Sequence, residues 1–283
     1  MLKGEDDKVG LKGSSHSFSS ICVLGGGNLG QALVRGWIEC GGIDPKNITV
    51  TRRDCSKLKQ LGSMGVTITE DNVSAVENSD IVIIAVQPQQ IPTLFSEIRE
   101  VAESRPHTFI SVVSGTSIES VKKGLGLDKN PVVRAMPNTA VSVGEAVTCL
   151  AAQDSEALGE AEGLFNRIGQ TLNLPEEMIT PSTALSACGI AFFLRCIRAA
   201  SQGGIEIGFH PEEALFLAAQ TAKGAASLIL DAGFHPEDGI DKVTTPRGCT
   251  IAGLNEMEHH GLSSAIIRGI VTSAEQAEGL KGE

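Results

Sequence analysis

The chain has 283 residues, 41% of them hydrophobic, and this length favours two domains over a single core. Its formal net charge of -11 at pH 7 argues against nucleic acid as a partner, because no basic stripe is present to neutralise phosphates. The longest uncharged candidate for a membrane span, residues 179–194, is shorter than the ~20 apolar residues that a span needs, so we expect no membrane partner.

Seven cysteines are scattered along the chain without a C-x-x-C pair, and their number is odd. This pattern indicates reduced thiols, so we expect a cytoplasmic protein. The six histidines form no metal-binding pattern: His259 and His260 are adjacent, and neighbours on a helix point to different sides. We therefore expect no metal.

Residues 1–20 are polar, show no apolar period and include the acidic run Glu5-Asp6-Asp7. They also lack the apolar core of a secretory signal. The sequence therefore predicts a flexible leader here, with an expression remnant as the alternative.

A glycine-rich turn follows the first predicted strand, residues 21–24, and leads into a helical segment. The turn, residues 25–30, has the spacing G-x-G-x-x-G. Gly25 permits the tight turn, Gly27 lets the backbone approach a pyrophosphate, and Gly30 lets the helix pack against the strand. The free N–H groups of the helix's first turn then face the phosphates. A turn without a ligand is the alternative, but the flanking strand and helix favour a dinucleotide site.

Two arginines, Arg52 and Arg53, follow the second predicted strand, residues 48–51. An NAD site usually places Asp or Glu here to accept the ribose hydroxyls. Two guanidinium groups instead suit a phosphate on the adenosine 2' position, because their planar donors match its oxygens. A surface arginine pair is the alternative. The position favours NADPH as the cofactor, with NADH left open.

Strand and helix patterns alternate up to about residue 175. Residues 81–86 are a continuous apolar run, typical of a strand buried on both faces. The further predicted strands are residues 66–68, 80–86, 108–113, 131–136, 147–150 and 171–174, and the predicted helices among them are residues 71–77, 92–104 and 157–168. The alternation predicts an α/β fold with a doubly wound sheet.

Strand patterns stop near residue 178, and the apolar period becomes helical. The predicted helices are residues 182–207, 211–231, 250–259 and 263–278. Long helices with apolar residues on several sides need partners, so the simplest expectation is an all-α domain that dimerises.

A second informative stretch, residues 235–254, follows the second of these helices and runs into the third. Here a loop of hydroxyls and small residues leads into a helix N-terminus. Backbone amides near Gly248, Cys249 and Thr250 would be free to hold a carboxylate. The alternative is a plain helix cap, because Thr245 is ordinary helix-start chemistry. Spacing alone does not decide between them.

Together these stretches resemble the pyrroline-5-carboxylate reductase family, the last enzymes of proline synthesis. The segments that carry the resemblance are residues 25–30, Ala85-Val86-Gln87-Pro88, Met136-Pro137-Asn138-Thr139, Ala184-Leu185-Ser186 and residues 243–254. The resemblance implies an oxidoreductase that transfers a hydride from NAD(P)H to the C=N bond of 1-pyrroline-5-carboxylate and gives L-proline. It also implies a Rossmann domain and a helical domain that interleaves with a second subunit, as a dimer or a ring of dimers.

The resemblance also implies roles for individual residues. Substrate-loop roles fall on Thr245, Gly248, Cys249 and Thr250. Cofactor contacts fall on Gly25, Gly27, Asn28, Leu29, Gly30, Arg52, Arg53, Asn72, Ala85, Val86, Gln87, Pro88, Ser114 and Gly115. Most of the rate comes from holding the two rings in register, and our hypothesis is that the Thr250 hydroxyl donates a proton to the ring nitrogen.

Several positions depart from the family pattern, and Arg247 matters most. The others are Gln87, Lys242 and the run Ala187-Cys188-Gly189-Ile190. The family mostly has glycine where Arg247 stands. A positive φ there would strain the β-carbon of Arg247. If φ is negative, its guanidinium is a candidate to bind the substrate carboxylate.

These patterns predict a flexible leader at 1–20, a dinucleotide-binding Rossmann domain at 21–175 and a helical substrate-binding and dimerisation domain at 176–283. A reductase of another cyclic imine and a non-catalytic NADP-binding relative stay open as alternatives. A hydroxyacid-type dehydrogenase is disfavoured, because such enzymes use a lysine in the long helix and residues 182–207 contain none.

Overall fold

A computed structural model of the chain describes residues 20–279. The predicted leader lies outside this range, apart from Ser20. The strands are β1 (Ile21–Leu24), β2 (Ile48–Thr51), β3 (Thr67–Thr69), β4 (Ile81–Ile84), β5 (Thr108–Ser111), β6 (Val132–Met136), β7 (Ala146–Ala152) and β8 (Gly169–Asn173). The helices up to β8 are α1 (Asn28–Glu39), α2 (Lys59–Ser63), α3 (Asn72–Glu77), α4 (Ile91–Ile98), α5 (Ile118–Leu125) and α6 (Ser155–Phe165).

All eight strands form one sheet in the order β3-β2-β1-β4-β5-β6-β7-β8. Strands β1 to β6 are parallel, whereas β7 runs antiparallel to β6 and β8 lies parallel to β7. The connection between β6 and β7, residues 137–145, is shorter than the dozen or so residues that a parallel crossover needs. Because β1 lies between β2 and β4, the winding reverses there, and ligands bind at such switch points.

The central strands β1, β4, β5 and β6 are buried on both faces, which explains their nearly continuous apolar sequences, whereas the edge strands β3 and β8 contain no buried residue. In β1, Ile21 and Val23 join the core on one face, and Cys22 and Leu24 join the core on the other. Trp37 of α1 lies fully buried in the first core, where its ring meets Phe165 edge-on at 5.9 Å between centroids. Its indole Nε1–H donates to the Leu164 carbonyl at 3.2 Å. Helix α1 is thereby fixed against α6.

The second half of the described chain is helical, as predicted. Its elements are α7 (Glu176–Ser182), a π-helical segment (Thr183–Ala187), α8 (Gly189–Glu206), α9 (Pro211–Leu230), α10 (Pro236–Val243), α11 (Cys249–His259) and α12 (Leu262–Gly279). The α/β class, the Rossmann-type sheet and the all-α second half are therefore confirmed. The exact domain boundaries stay a prediction.

Several helix predictions need correction. The predicted helix over 92–104 ends at Ile98, and Val101 and Ala102 extended the apolar pattern because they are buried in the turns that follow. Helices α2, α5 and α7 were missed, and α10 was predicted as a loop. The single helix predicted over 182–207 is interrupted by the π-helical segment, which follows a proline inside α7.

The helical half leaves many apolar side chains uncovered. Phe193, Phe216 and Leu230 are 67%, 67% and 82% exposed, and no residue described in α10, α11 or α12 is buried. Contrary to expectation, one helical stretch, Glu176–Glu206, is long and apolar enough to cross a membrane by length and composition. Its most apolar window has a mean hydropathy of 1.4 and is 11% buried. A helix face that packs against a second subunit meets the same criterion, so the stretch is weak evidence for a span.

Candidate active site

The glycine turn lies at the switch point, where β1 meets its two neighbours. Gly25 has a φ of 112°, and a β-carbon there would lie 2.6 Å from the carbonyl oxygen of Ala85. On the other side, the Gly26 N–H donates to the Thr51 carbonyl at 2.8 Å. Both the positive φ and the lack of space for a β-carbon require glycine at position 25. The turn is therefore wedged between the ends of β2 and β4.

Gly27 and Gly30 have different tasks in this turn. A β-carbon on Gly30 would overlap the Gly25 carbonyl oxygen, so Gly30 lets α1 pack closely. A β-carbon on Gly27 would have no described atom beyond its chain neighbours within 4 Å, so this residue faces open space. Helix α1 begins at Asn28 with neither a side-chain cap nor an acidic residue in its first turn. Its first N–H groups and the positive end of its dipole are available to an anion.

A cleft of about 650 Å³ opens beside this turn, among the segments that follow β2, β3 and β4. Eight predicted cofactor residues line it: Gly25, Gly27, Arg52, Arg53, Asn72, Ala85, Val86 and Gln87. The other six are not among its lining residues: Asn28, Leu29, Gly30, Pro88, Ser114 and Gly115. Three of those six form the first turn of α1, and two follow β5. The structure thus brings most of the predicted set into one cleft, and their roles remain predictions.

The two arginines of the cleft are held differently. The Arg52 guanidinium donates to the Gly26 carbonyl, which ties this half-buried side chain to the glycine turn. Arg53 is exposed, and its guanidinium has no hydrogen bond or ion pair with any residue from 20 to 279. Arg53 is therefore the arginine whose donors are all available to a ligand.

Several charged residues of the cleft were not predicted as site residues. They are Asp54, Lys57, Glu70 and Glu97. Glu97 accepts a hydrogen bond from the Asn72 amide at 2.9 Å, which orients a predicted cofactor residue. The sequence did hold a signal for Asp54, because an acid shortly after the second strand is typical of nucleotide sites. Glu97 lies on a helix distant in sequence, and no local pattern indicates it.

The predicted substrate loop leads into α11 in the way that an anion site needs. Gly248 is the N-cap of α11, and no side chain caps the helix. The plain-cap alternative for Thr245 is therefore wrong; its carbonyl accepts from the Gly248 N–H at 2.9 Å within the loop. The first turn, which contains Cys249 and Thr250, carries no acidic residue. Its amides are available to a carboxylate.

Arg247 has a φ of 61°, and it is the single non-glycine residue with positive φ between residues 20 and 279. The left-handed region costs an L-residue roughly 1–2 kcal/mol, because the β-carbon crowds a carbonyl oxygen. Of the two backbone conformations considered for Arg247, the structure therefore has the strained one, with positive φ. A positive φ strains the backbone but does not remove the guanidinium, and such strain is often kept where a side chain has a task, so Arg247 stays a candidate to bind the substrate carboxylate.

The substrate loop does not complete the cleft within one subunit. None of Thr245, Arg247, Gly248, Cys249 and Thr250 lines the cleft, and α11 packs on α12. Between residues 20 and 279, no group of three or more His, Cys, Asp or Glu side chains is placed to hold a metal ion.

Two family models match the chain. Residues 176–280 match the model described as pyrroline-5-carboxylate reductase dimerisation, and residues 20–115 match the model described as NADP oxidoreductase, coenzyme F420-dependent. The first match covers the helices whose apolar faces are exposed. A dimerisation region therefore accounts for those faces.

Named relatives cover nearly the whole chain. The chain is 45% identical over 275 residues to pyrroline-5-carboxylate reductase 2 of Dictyostelium discoideum, and the match covers 91% of this chain and 92% of the relative. It is 49% identical over 276 residues to pyrroline-5-carboxylate reductase 1 of the same organism, covering 93% of this chain and spanning 50% of that relative's length.

A solved structure shares the fold along its full length. The pyrroline-5-carboxylate reductase of Coxiella burnetii superposes with a TM-score of 0.84 at 30% identity, covering 94% of this chain and 99% of that one. Together with the glycine turn and the uncapped loop helix, these similarities establish that the chain belongs to the pyrroline-5-carboxylate reductase family.

Proposed function

We propose that this protein is a pyrroline-5-carboxylate reductase, which reduces the cyclic imine of 1-pyrroline-5-carboxylate to L-proline with NAD(P)H. The observation that carries the proposal is the presence in one chain of two segments that lead into a helix N-terminus without a side-chain cap, where an anion can bind. One is the glycine turn before α1, and the other is the loop before α11. Family membership supports the pairing of these two sites in one reaction. It also counts against the hydroxyacid dehydrogenase alternative.

The glycine turn and its cleft fit a dinucleotide. The space beside Gly27 is where a pyrophosphate would lie, since a side chain at this position would fill it. Arg52 and Arg53 stand where the adenosine 2'-phosphate of NADPH would bind. Ala85, Val86 and Gln87 would line the path toward the nicotinamide. When bound, the reduced nicotinamide supplies the hydride, and the chain's own residues supply position and a proton.

The substrate loop fits a small cyclic acid. The amides at the start of α11 would bind its carboxylate, and the Arg247 guanidinium would add a charged donor. Residues 243–250 contain no carboxylate, histidine or lysine, so the loop has no strong acid or base. We assign the donation of a proton to the ring nitrogen to the Thr250 hydroxyl, with water supplying the proton behind it. The rate enhancement then comes mainly from orientation.

Self-association would complete the site. Since the loop does not line the cleft of its own subunit, we place the loop of a second copy over the cleft, by way of the exposed helix faces. The assembly would be a dimer or a ring of dimers. All seven cysteines are unpaired, which supports a reducing, cytoplasmic compartment. The charge of -11 supports a protein without nucleic acid or membrane partners.

Replacing Gly27 tests the cofactor site. We expect Gly27→Ala to weaken NADPH binding at least about tenfold, because the methyl group takes the space of the pyrophosphate. The free energy of unfolding should fall by no more than about 1 kcal/mol, the usual cost of alanine at an N-cap. Gly30→Ala is the matched control. Its β-carbon would collide with the backbone of Gly25, so its free energy of unfolding should fall by about 1–3 kcal/mol. Fluorescence titration and urea unfolding check both; unchanged NADPH affinity in Gly27→Ala would contradict the assignment.

Replacing Arg247 separates strain from substrate binding. The free energy of unfolding should be about 0.5–1 kcal/mol higher for Arg247→Gly than for Arg247→Ala, because only glycine adopts the positive φ without strain. Part of the gain is lost because glycine is also more flexible in the unfolded chain. Both variants lose the guanidinium, so both should raise KM for the imine about equally. Urea unfolding at one fixed subunit concentration and steady-state kinetics check this. Equal stability of the two variants would show that the backbone does not hold Arg247 in the left-handed region.

The assay with 1-pyrroline-5-carboxylate tests the function itself. The wild-type protein should oxidise NADPH in its presence, and Thr250→Ala should lower kcat about a hundredfold and change its pH profile. Thr250→Ser keeps the hydroxyl and should retain most of the rate. NADPH affinity should stay the same in both variants. An unchanged kcat and pH profile in Thr250→Ala would refute the role of Thr250, and tight NADPH binding without turnover in the wild type would refute the reductase assignment.

A further inference from the structure

The adenosine end of the cleft carries a charge cluster that the reductase assignment leaves unexplained. The cluster is Asp54, Ser56 and Lys57, in the turn that follows β2. Asp54 and Lys57 both line the cleft, beside Arg53. Overall the cleft is lined by three cationic and three acidic side chains, so it has no general preference for a phosphate. Selectivity at this end must therefore come from local contacts.

Asp54 is fixed by its own turn. One carboxylate oxygen accepts from the Ser56 N–H at 3.1 Å and from the Ser56 hydroxyl at 2.5 Å. These bonds, above all that from the hydroxyl, hold the pKa of the Asp54 carboxyl below its ordinary value. Asp54 is therefore ionised at neutral pH, and the two Ser56 donors bind only Oδ1, not its second oxygen Oδ2. An acid at this place is the group that accepts ribose hydroxyls in NAD sites.

Lys57 is held only loosely by that second oxygen. Its Nζ lies 3.8 Å from Asp54 Oδ2, and the two side chains are 62% and 53% exposed. A pair this long and this exposed is weak, so it yields readily to a stronger partner. Arg52 is already tied to the Gly26 carbonyl. The cations that remain adjustable beside the cleft are therefore Arg53 and Lys57.

We propose that Asp54 and Lys57 determine the preference between NADPH and NADH, Lys57 by binding the 2'-phosphate of NADPH and Asp54 by binding the ribose 2'-hydroxyl of NADH. With NADPH, Lys57 leaves Asp54 and joins Arg53 on the 2'-phosphate. With NADH, Lys57 stays near Asp54 Oδ2, and the same oxygen also accepts the ribose 2'-hydroxyl. The chain would then bind both cofactors, and removing either member would shift the preference in opposite directions. This inference rests on the proposed function only for the class of cofactor, since it concerns binding and not turnover.

Equilibrium binding of NADPH and NADH to the whole protein, without substrate, tests the proposal. Lys57→Gln should weaken NADPH roughly three- to tenfold and leave NADH within about twofold. Asp54→Asn keeps an oxygen that caps the Ser56 N–H but loses the charge. Asp54→Asn should weaken the binding of NADH roughly three- to tenfold and leave the binding of NADPH unchanged or make it tighter. Lys59→Gln is the matched control, because Lys59 is an exposed lysine two residues away that does not line the cleft. It should change neither affinity.

Salt dependence adds a second measurement. Raising the ionic strength should weaken the binding of NADPH more than the binding of NADH in the wild type, and Lys57→Gln should reduce that difference. If Lys57→Gln changes the two affinities equally, or no more than Lys59→Gln does, the selection by Lys57 is refuted. If Asp54→Asn weakens both dinucleotides alike, the role of Asp54 is refuted. Failure of the wild type to bind either dinucleotide would instead overturn the proposed function, and the two failures are thus distinguishable.

Discussion

The lack of space for a side chain at Gly25 is the constraint on which the site depends. The chain leaves β1 with a φ of 112° and passes so close to Ala85 that a β-carbon would lie 2.6 Å from its carbonyl oxygen. Because the turn is this tight, α1 starts directly at the switch point of the sheet. Its N-terminus then faces the cleft without a cap. The buried strands on both sides hold this arrangement rigidly, which is what a site for a dinucleotide requires.

The sequence was sufficient for the sheet and for the glycine turn, because both depend on short-range patterns. Strands buried on both faces read as apolar runs, and the turn, strand and helix of the site are contiguous. The helices were less predictable. Residues 92–104 keep their apolar period although the helix ends at Ile98, and α10 begins in a polar stretch that resembles a loop. Burial in tertiary turns and local capping decide these cases, and neither is visible as periodicity.

The site was predictable in its outline and not in its charges. Arg53 and Asn72 do lie in the cleft, but Glu97, which orients Asn72, comes from a distant helix. The backbone angle of Arg247 also lay beyond the sequence, since either sign of φ was compatible with it. The positive φ means that the chain has an arginine at a strained position where the resemblance to the family led us to expect glycine.

The proposed active site requires that one subunit supplies the cleft and its partner supplies the loop. Complementation between two impaired subunits, assayed at an NADPH concentration that does not saturate Gly27→Ala, tests this most directly. Mixed dimers would be purified from subunits that carry Gly27→Ala and subunits that carry Thr250→Ala, with a different tag on each. If the site is shared between subunits, each mixed dimer holds one intact pair of cleft and loop, and its activity should return to about half that of the wild type. Activity no higher than that of the two parent dimers would contradict the account.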